Sequence, residues 1–126
     1  MIYNGDKSEY RVKFYKDIKA GKNPVEEYID ELSIKEQAKI AKYIEFLRVH
    51  KGYLDEPYSK HIESKIRELI IDFSKKRHRI FYFTFIKKNI ILLHAFLKKT
   101  QKTPKSEIRR AEENYNNVLK NSKIYE

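Results

Sequence analysis

Three strand-like runs stand close together in the second half of this chain, and they leave it little freedom of topology. Ile66–Phe73, Arg77–Ile86 and Asn89–Leu97 are rich in β-branched and aromatic residues. The breaks between them, Ser74–Lys76 and Lys87–Lys88, are long enough only for hairpins. A parallel crossover needs about a dozen residues or more, so the three runs are predicted to be antiparallel neighbours. A further strand is expected near the N-terminus, where Tyr10, Val12 and Phe14 alternate with Glu9, Arg11 and Lys13.

The helical segments lie on either side of these runs. Asn23 and Pro24 open a helix in which Val25, Tyr28, Ile29 and Leu32 fall at i, i+3, i+4 and i+7. Ser33 and Glu36 form a capping box for a second helix. Its apolar stripe is read as Ile34, Ala38, Ala41, Ile44 and Leu47, widened by Ile40 and Tyr43, and Gly52 stops it. Residues 53–65 read as a loop. A last helix is predicted from Pro104 to about Leu119, with Thr103 as N-cap, Pro104 at the first helical position, and Ile108, Ala111, Tyr115 and Val118 on one face. The order β-α-α-β-β-β-α is an α+β fold: a helix hairpin packed on a mostly antiparallel four-stranded sheet. The 126 residues are read as a single domain with a core over about 9–119, a loose N-terminus and a frayed tail from Asn121.

Charge narrows the function. Lys and Arg number 28 against 18 acids, for a net charge of +10. An anionic partner is implied: nucleic acid, an anionic membrane surface or an acidic protein. The excess is local. Lys60 to Lys88 holds nine Lys or Arg against three acids, whereas Pro24 to Glu36 holds five acids against Lys35 alone. A single lysine is more often a solvated surface group, but a one-sign cluster repels itself and calls for a counter-anion. Cysteine is absent, which excludes disulfides and thiolate metal sites. The four His residues lack metal-site spacing, and there is no Gly-rich phosphate loop or Ser-centred nucleophile motif, so no metal and no cofactor are expected. The N-terminus lacks a signal-peptide core and no apolar run approaches the roughly 20 residues of a spanning helix, so a cytoplasmic protein with no membrane partner is expected.

Strand alternation sorts the polar candidates. Arg77, Arg79, Phe81, Phe83 and Phe85 should share one face. In the next run Leu92, His94, Phe96 and Lys98 should share one face, and Leu93, Ala95, Leu97 and Lys99 the other. Arg79 stands where an apolar residue is expected, and an Arg leaving a sheet needs a carboxylate, a phosphate or water. His94, taken alone, is more often a buried His bonded to backbone. Lys98 and Lys99 end the strand in a cationic corner completed by Lys102 and Lys105. Cleaving RNA without a metal requires a proton taken from the 2′-OH, positive charge around the pentavalent phosphate and a proton given to the 5′-oxygen. Arg79, His94, Lys98, Lys99 and Tyr82 are the catalytic candidates by residue type. Lys60, His61, Arg67, Lys75, Lys76, Arg77 and Lys102 are the candidate RNA contacts, and their binding should weaken steeply with salt.

Several motifs carry a resemblance. They are Pro-Val-Glu-Glu-Tyr-Ile at 24–29, Glu-Pro-Tyr-Ser-Lys at 56–60, Glu-Leu at 68–69 and Arg-Ile-Phe-Tyr at 79–82. A longer one runs from Leu92 to Glu107: Leu-Leu-His-x-Phe-x-Lys-Lys-Thr-Gln-Lys-Thr-Pro-x-x-Glu. Over about Tyr10 to Leu119 the chain resembles the HigB/RelE-like toxins of type II toxin–antitoxin systems, the phage-derived branch of the RelE/ParE superfamily. The resemblance implies a RelE/ParE-like fold and a metal-independent endoribonuclease that cuts mRNA on the ribosome. It also implies a cognate antitoxin with a helix-turn-helix domain, in a complex that binds operator DNA. The family's arginine before the aromatic strand falls on Arg79, its lysine pair on Lys98 and Lys99, and its strand histidine on His94. Where the family commonly has Glu-Leu-Arg, this chain has Glu68-Leu69-Ile70. Two other readings therefore stand beside the nuclease: a ParE-like gyrase inhibitor, and a degenerate toxin that only binds its antitoxin.

Overall fold

The computed structural model describes residues 9–85 and 88–126. Five strands and three helices follow one another as β1 (Arg11–Phe14), α1 (Pro24–Asp30), α2 (Ile34–Val49), β2 (Ser59–Glu63), β3 (Ile66–Phe73), β4 (Lys76–Phe85), β5 (Asn89–Leu97) and α3 (Lys105–Lys120). A 3-10 turn, Ser122–Tyr125, closes the chain. The strands form one sheet in the order β1-β5-β4-β3-β2. The β3–β4 and β4–β5 pairs are antiparallel, as their short connections require. β1 lies parallel to β5, pairing Val12 with Ile90 and Phe14 with Leu92.

The sheet has five strands rather than the four expected. The extra strand, β2, falls inside the segment read as a loop and pairs antiparallel with β3. Its sequence, Ser-Lys-His-Ile-Glu, has little apolar alternation, because β2 is an edge strand whose one fully buried residue is Ser59. Charged side chains are usual on such edges, where they discourage pairing with other chains.

Each face of the sheet carries its own core. The α1–α2 hairpin covers one face through Val25, Ile40 and Leu47, packed on Leu69, Ile71, Ile80, Tyr82, Ile90, Leu92 and Ala95. α3 covers the other through Ala111 and Val118, packed with Ile66, Phe81, Phe83, Ile91, Leu93 and Phe96. Leu92 and Leu93 fall on the faces that simple alternation gives neither of them relative to His94. Phe81 pairs with His94 but Tyr82 pairs with Leu92, so one extra residue is inserted in β5. This bulge puts Leu93 and His94 consecutively on the α3 face and Leu92 on the hairpin face.

Other local expectations meet the structure unevenly. The capping box forms, with the Glu36 N–H donating to Ser33 Oγ at 3.2 Å. The buried stripe of α2, however, is Glu36, Ile40 and Leu47, while Ile34, Ala38 and Ala41 are exposed. Glu36 occupies the inward position because β4 offers it a partner, His78. Pro104 itself is the N-cap of α3, and Thr103 turns its hydroxyl to Glu68 instead. The expected fraying of the tail is not seen. Tyr125 is buried, its hydroxyl accepts from the Lys16 N–H at 3.0 Å, and the Lys13 ammonium donates to the carbonyls of Tyr125 and Glu126. The N-terminal eight residues, together with Ile86 and Lys87 of the β4–β5 hairpin, lie outside the described residues. Among the described residues no helix is long and apolar enough to cross a membrane.

Candidate functional site

The α3 face of the sheet ends, beyond its aromatic core, in a polar cluster. β4 brings Arg77 and Arg79 to it, β5 brings His94 and Lys98, β3 brings Glu68, and the edge strand β2 brings Lys60. Lys98 follows the last residue of β5, yet its N–H still donates to the Arg77 carbonyl at 2.8 Å, which extends the ladder by one residue. The side chain is therefore held down on the sheet, 9% exposed. Burial pushes the Lys98 ammonium below the ordinary lysine range. The neighbouring charges of Lys60, Arg79 and Arg77 push the same way, and Glu68 opposes them.

Glu68 is fully buried among these cations. Its register partner Lys60 places an ammonium 3.5 Å from Oε1, and Thr103 donates to Oε2 at 3.2 Å. Oε1 accepts no hydrogen bond, so the contact with Lys60 is charge attraction alone. Arg79 is 6% exposed and donates through Nη1 to Asp72 Oδ1 at 2.8 Å and to the His78 carbonyl at 3.0 Å. Its Nε is buried with no acceptor among the described residues. Buried polar atoms are paired in the great majority of cases, so two unpaired ones in a single patch are unusual. Ile70 pairs with Arg79 across β3 and β4, so the family's usual Glu-Leu-Arg arginine would have stood next to it.

His94 is not bonded to backbone. Its Nε2 lies 2.7 Å from Glu107 Oε1 on α3, and its ring lies beside those of Phe81 and Phe96, inclined 15° to each, with the three centroids 5.4 to 6.3 Å apart. With a side-chain exposure of 16% and no backbone partner among the described residues, it is reachable from solvent.

The other candidates lie elsewhere. Tyr82 is fully buried on the hairpin face with its hydroxyl 2.8 Å from Ser59 Oγ, and burial raises its pKa. The sheet itself separates it from Lys98. Arg67 also belongs to the hairpin side, donating to Ser59 Oγ and to the Leu54 carbonyl, each at 3.1 Å. His61 is exposed beside the Ser64 carbonyl. Lys75 and Lys76 are exposed at the β3–β4 turn, with Lys76 reaching to 3.5 Å from Glu36. Lys99 and Lys102 are exposed in the connection to α3. Glu68, Asp72, Thr103 and Glu107 are the site residues that sequence reading missed. For Glu68 a signal existed: it lies between Ile66 and Ile70 at an inward strand position, where a carboxylate needs a buried partner.

A second polar cluster lies across the sheet. The Tyr28 hydroxyl is 2.7 Å from His78 Nδ1, and His78 Nε2 is 2.6 Å from Glu36 Oε2. Glu36 also accepts from Ser33 Oγ at 2.8 Å. The bonds from Ser33 and His78 hold the Glu36 carboxyl down at about 2, and burial followed by the charge of Glu36 raises the Tyr28 phenol to about 12. Among the described residues no three His, Asp or Glu stand together so as to hold a metal ion.

The α3-face cluster can attract a phosphate, surround it with positive charge and move a proton through a lysine whose proton is loosened. Residues 27–116 match the family model described as Phage derived protein Gp49-like (DUF891), a toxin-like family of the RelE/ParE type. No curated protein matches the chain.

Proposed function

We propose that this chain, which belongs to the Gp49-like phage-derived family, is a type II toxin that cuts mRNA on the ribosome without a metal. In the producing cell a cognate antitoxin with a helix-turn-helix domain would neutralise it. The observation that carries the reading is Lys98, a nearly buried lysine with a lowered pKa, sharing one sheet face with Lys60, Arg77 and Arg79. Four cations crowd one buried carboxylate, so a phosphate arriving there gains charge–charge attraction and relieves their mutual repulsion.

The roles follow from position. Arg79 is held by Asp72 in the free chain, and an incoming phosphate competes with that carboxylate for Nη1. Lys60 and Lys98 flank the phosphate; Glu68 holds Lys60 and adds its negative charge beside Lys98. Lys98 gives up a proton more readily than an exposed lysine, as a proton-transfer group must. His94 is oriented by Glu107 and is the second proton-transfer group. Lys99 and the exposed Lys102 lie along the approach of the strand.

Induced expression followed by mapping of mRNA 5′ ends tests the reading. Growth arrest with new, translation-dependent 5′ ends is the expected result. A harmless chain with unchanged 5′ ends would refute it. In that case Ile70, which stands beside Arg79 where the family usually has an arginine, favours a toxin that retains only antitoxin binding. Ile70→Arg would then be expected to restore cleavage.

A further inference from the structure

A cavity of about 410 Å³ opens on the outer side of the edge strand β2, away from the cluster around Lys98. Its walls include Tyr53, Asp55, Glu56, Lys60, His61 and Arg67. Tyr53 is 55% exposed, and the Arg67 guanidinium sits over its ring, 4.7 Å from the centroid. Arg67 is not loose. Ser59 Oγ and the Leu54 carbonyl both accept from it, so the guanidinium, packed on one face of the ring, fixes the ring as a platform before any ligand arrives. The Tyr53 hydroxyl donates to Asp55 Oδ1 at 2.9 Å, which fixes the ring from its other end.

The charges of the walls define the ligand. Asp55 and Glu56 repel a phosphate group, and as carboxylates they accept hydrogen bonds from amino groups. A neutral planar ring with exocyclic amino groups satisfies both the platform and the carboxylates. Lys60 joins this cavity to the cationic cluster, since it lines the cavity while its ammonium lies 3.5 Å from Glu68. A single RNA strand crossing β2 can therefore place phosphate on one side and a base on the other.

We propose that this cavity is a subsite for an unpaired amino-bearing nucleobase of the RNA, stacked on Tyr53 with its amino group toward Asp55 or Glu56. The inference rests on the reading that the chain acts on RNA. Adenine, guanine and cytosine are favoured over uracil, which has no amino group.

The test uses the whole chain and a single-stranded 2′-O-methyl oligoribonucleotide, which cannot be cleaved through its 2′ position, carrying one 2-aminopurine. The wild-type chain and Tyr53→Phe should quench the base fluorescence, because both keep the ring. Tyr53→Ala should bind about tenfold more weakly and lose the quenching, the usual scale for one base–aromatic stack. Asp55→Asn should keep the quenching but narrow the preference for an adenine oligonucleotide over a uracil one. Absence of quenching by the wild-type chain, or equal quenching by Tyr53→Ala, would overturn the subsite. The two readings fail separately. A chain that quenches through Tyr53 yet generates no new mRNA 5′ ends loses the nuclease and keeps the subsite. One that cuts mRNA but quenches independently of Tyr53 loses the subsite alone.

Discussion

His78 and Arg79 are neighbours in β4, yet their side chains enter two polar clusters of opposite character. On the hairpin face, His78 is 1% exposed and satisfied at both ring nitrogens, by Tyr28 and by Glu36. The carboxylate it meets is in turn held by Ser33. On the α3 face, Arg79 leaves a buried Nε unpaired, Glu68 leaves Oε1 without a donor, and Lys98 is crowded by like charge. A closed network such as the first fastens helices to a sheet, and breaking it exposes uncompensated polar groups. The open cluster keeps unfilled bonding capacity that a ligand could use. Burial alone does not separate the two, because both hold nearly buried ionisable groups. Completeness of partners does.

Substitutions on the two sides should therefore have opposite signatures. The largest effect is expected from His78→Ala, which strands Tyr28 and Glu36 in the interior. A loss of about 3 kcal/mol is expected for breaking a buried pair from one side. Thermal melting should fall by roughly 10 °C for a chain of this size. A melt unchanged by this substitution would show that the network is not structural. Next come Arg79→Ala and Lys98→Ala. Each should lower RNA cleavage and growth inhibition by about 10²-fold while leaving the melting temperature near that of the parent chain. Full toxicity in both variants would remove the α3 face from consideration.

Acid sharpens the contrast further. The Glu36 carboxyl is held at about 2, below its ordinary 4.5, so the unfolded chain binds a proton there before the folded one does. Its stabilising contribution is present above pH 4.5 and is lost as the pH falls from 4.5 toward 2. Urea melts across that window should show a decline that Glu36→Gln reduces. The smallest effect is expected at Lys98. Its pKa is lowered in the folded chain, so its buried charge works against folding at neutral pH, and that cost fades as the pH rises toward 10.5, the ordinary lysine value. Lys98→Met should melt slightly higher than the parent at pH 7, with the gain shrinking in alkali, while activity is lost. A lower melting temperature for Lys98→Met would mean that Lys98 is a structural group like His78.

Much of the framework could be read from local pattern. The short breaks around β4 dictated antiparallel pairing, and the Ser33–Glu36 capping box is visible three residues apart in the chain. What escaped depended on partners distant in sequence. β2 is a strand because β3 has an edge to offer, not because Ser-Lys-His-Ile-Glu alternates. Glu36 turns inward because His78, 42 residues on, waits for it, and that displaced Ile34 and Ala38 to the surface. In the candidate site, the shared face of His94 and Lys98 was legible from alternation, whereas the place of Arg79 on that same face depends on the β4–β5 register. The same rule puts Tyr82 on the other face from Phe81 and Arg79, so the separation of Tyr82 from Arg79 was equally available. Glu68 and Glu107 enter only through strand register and helix docking, which single-sequence pattern does not carry.

The bulge in β5 gives the α3 face a slack of one residue. Chemistry at the end of the strand is aligned by counting, and Leu93 is the extra count. Removing that one apolar residue would restore plain alternation, with Leu92 still toward the hairpin and His94, Phe96 and Lys98 still toward α3. A genetic lesion of three nucleotides at Leu93 would therefore leave the cationic cluster on its face, at the cost of one apolar residue of the α3 core. Among in-frame deletions in β5, loss of Leu93 should therefore be tolerated better than loss of Ala95, after which either His94 or the pair Phe96 and Lys98 must change face.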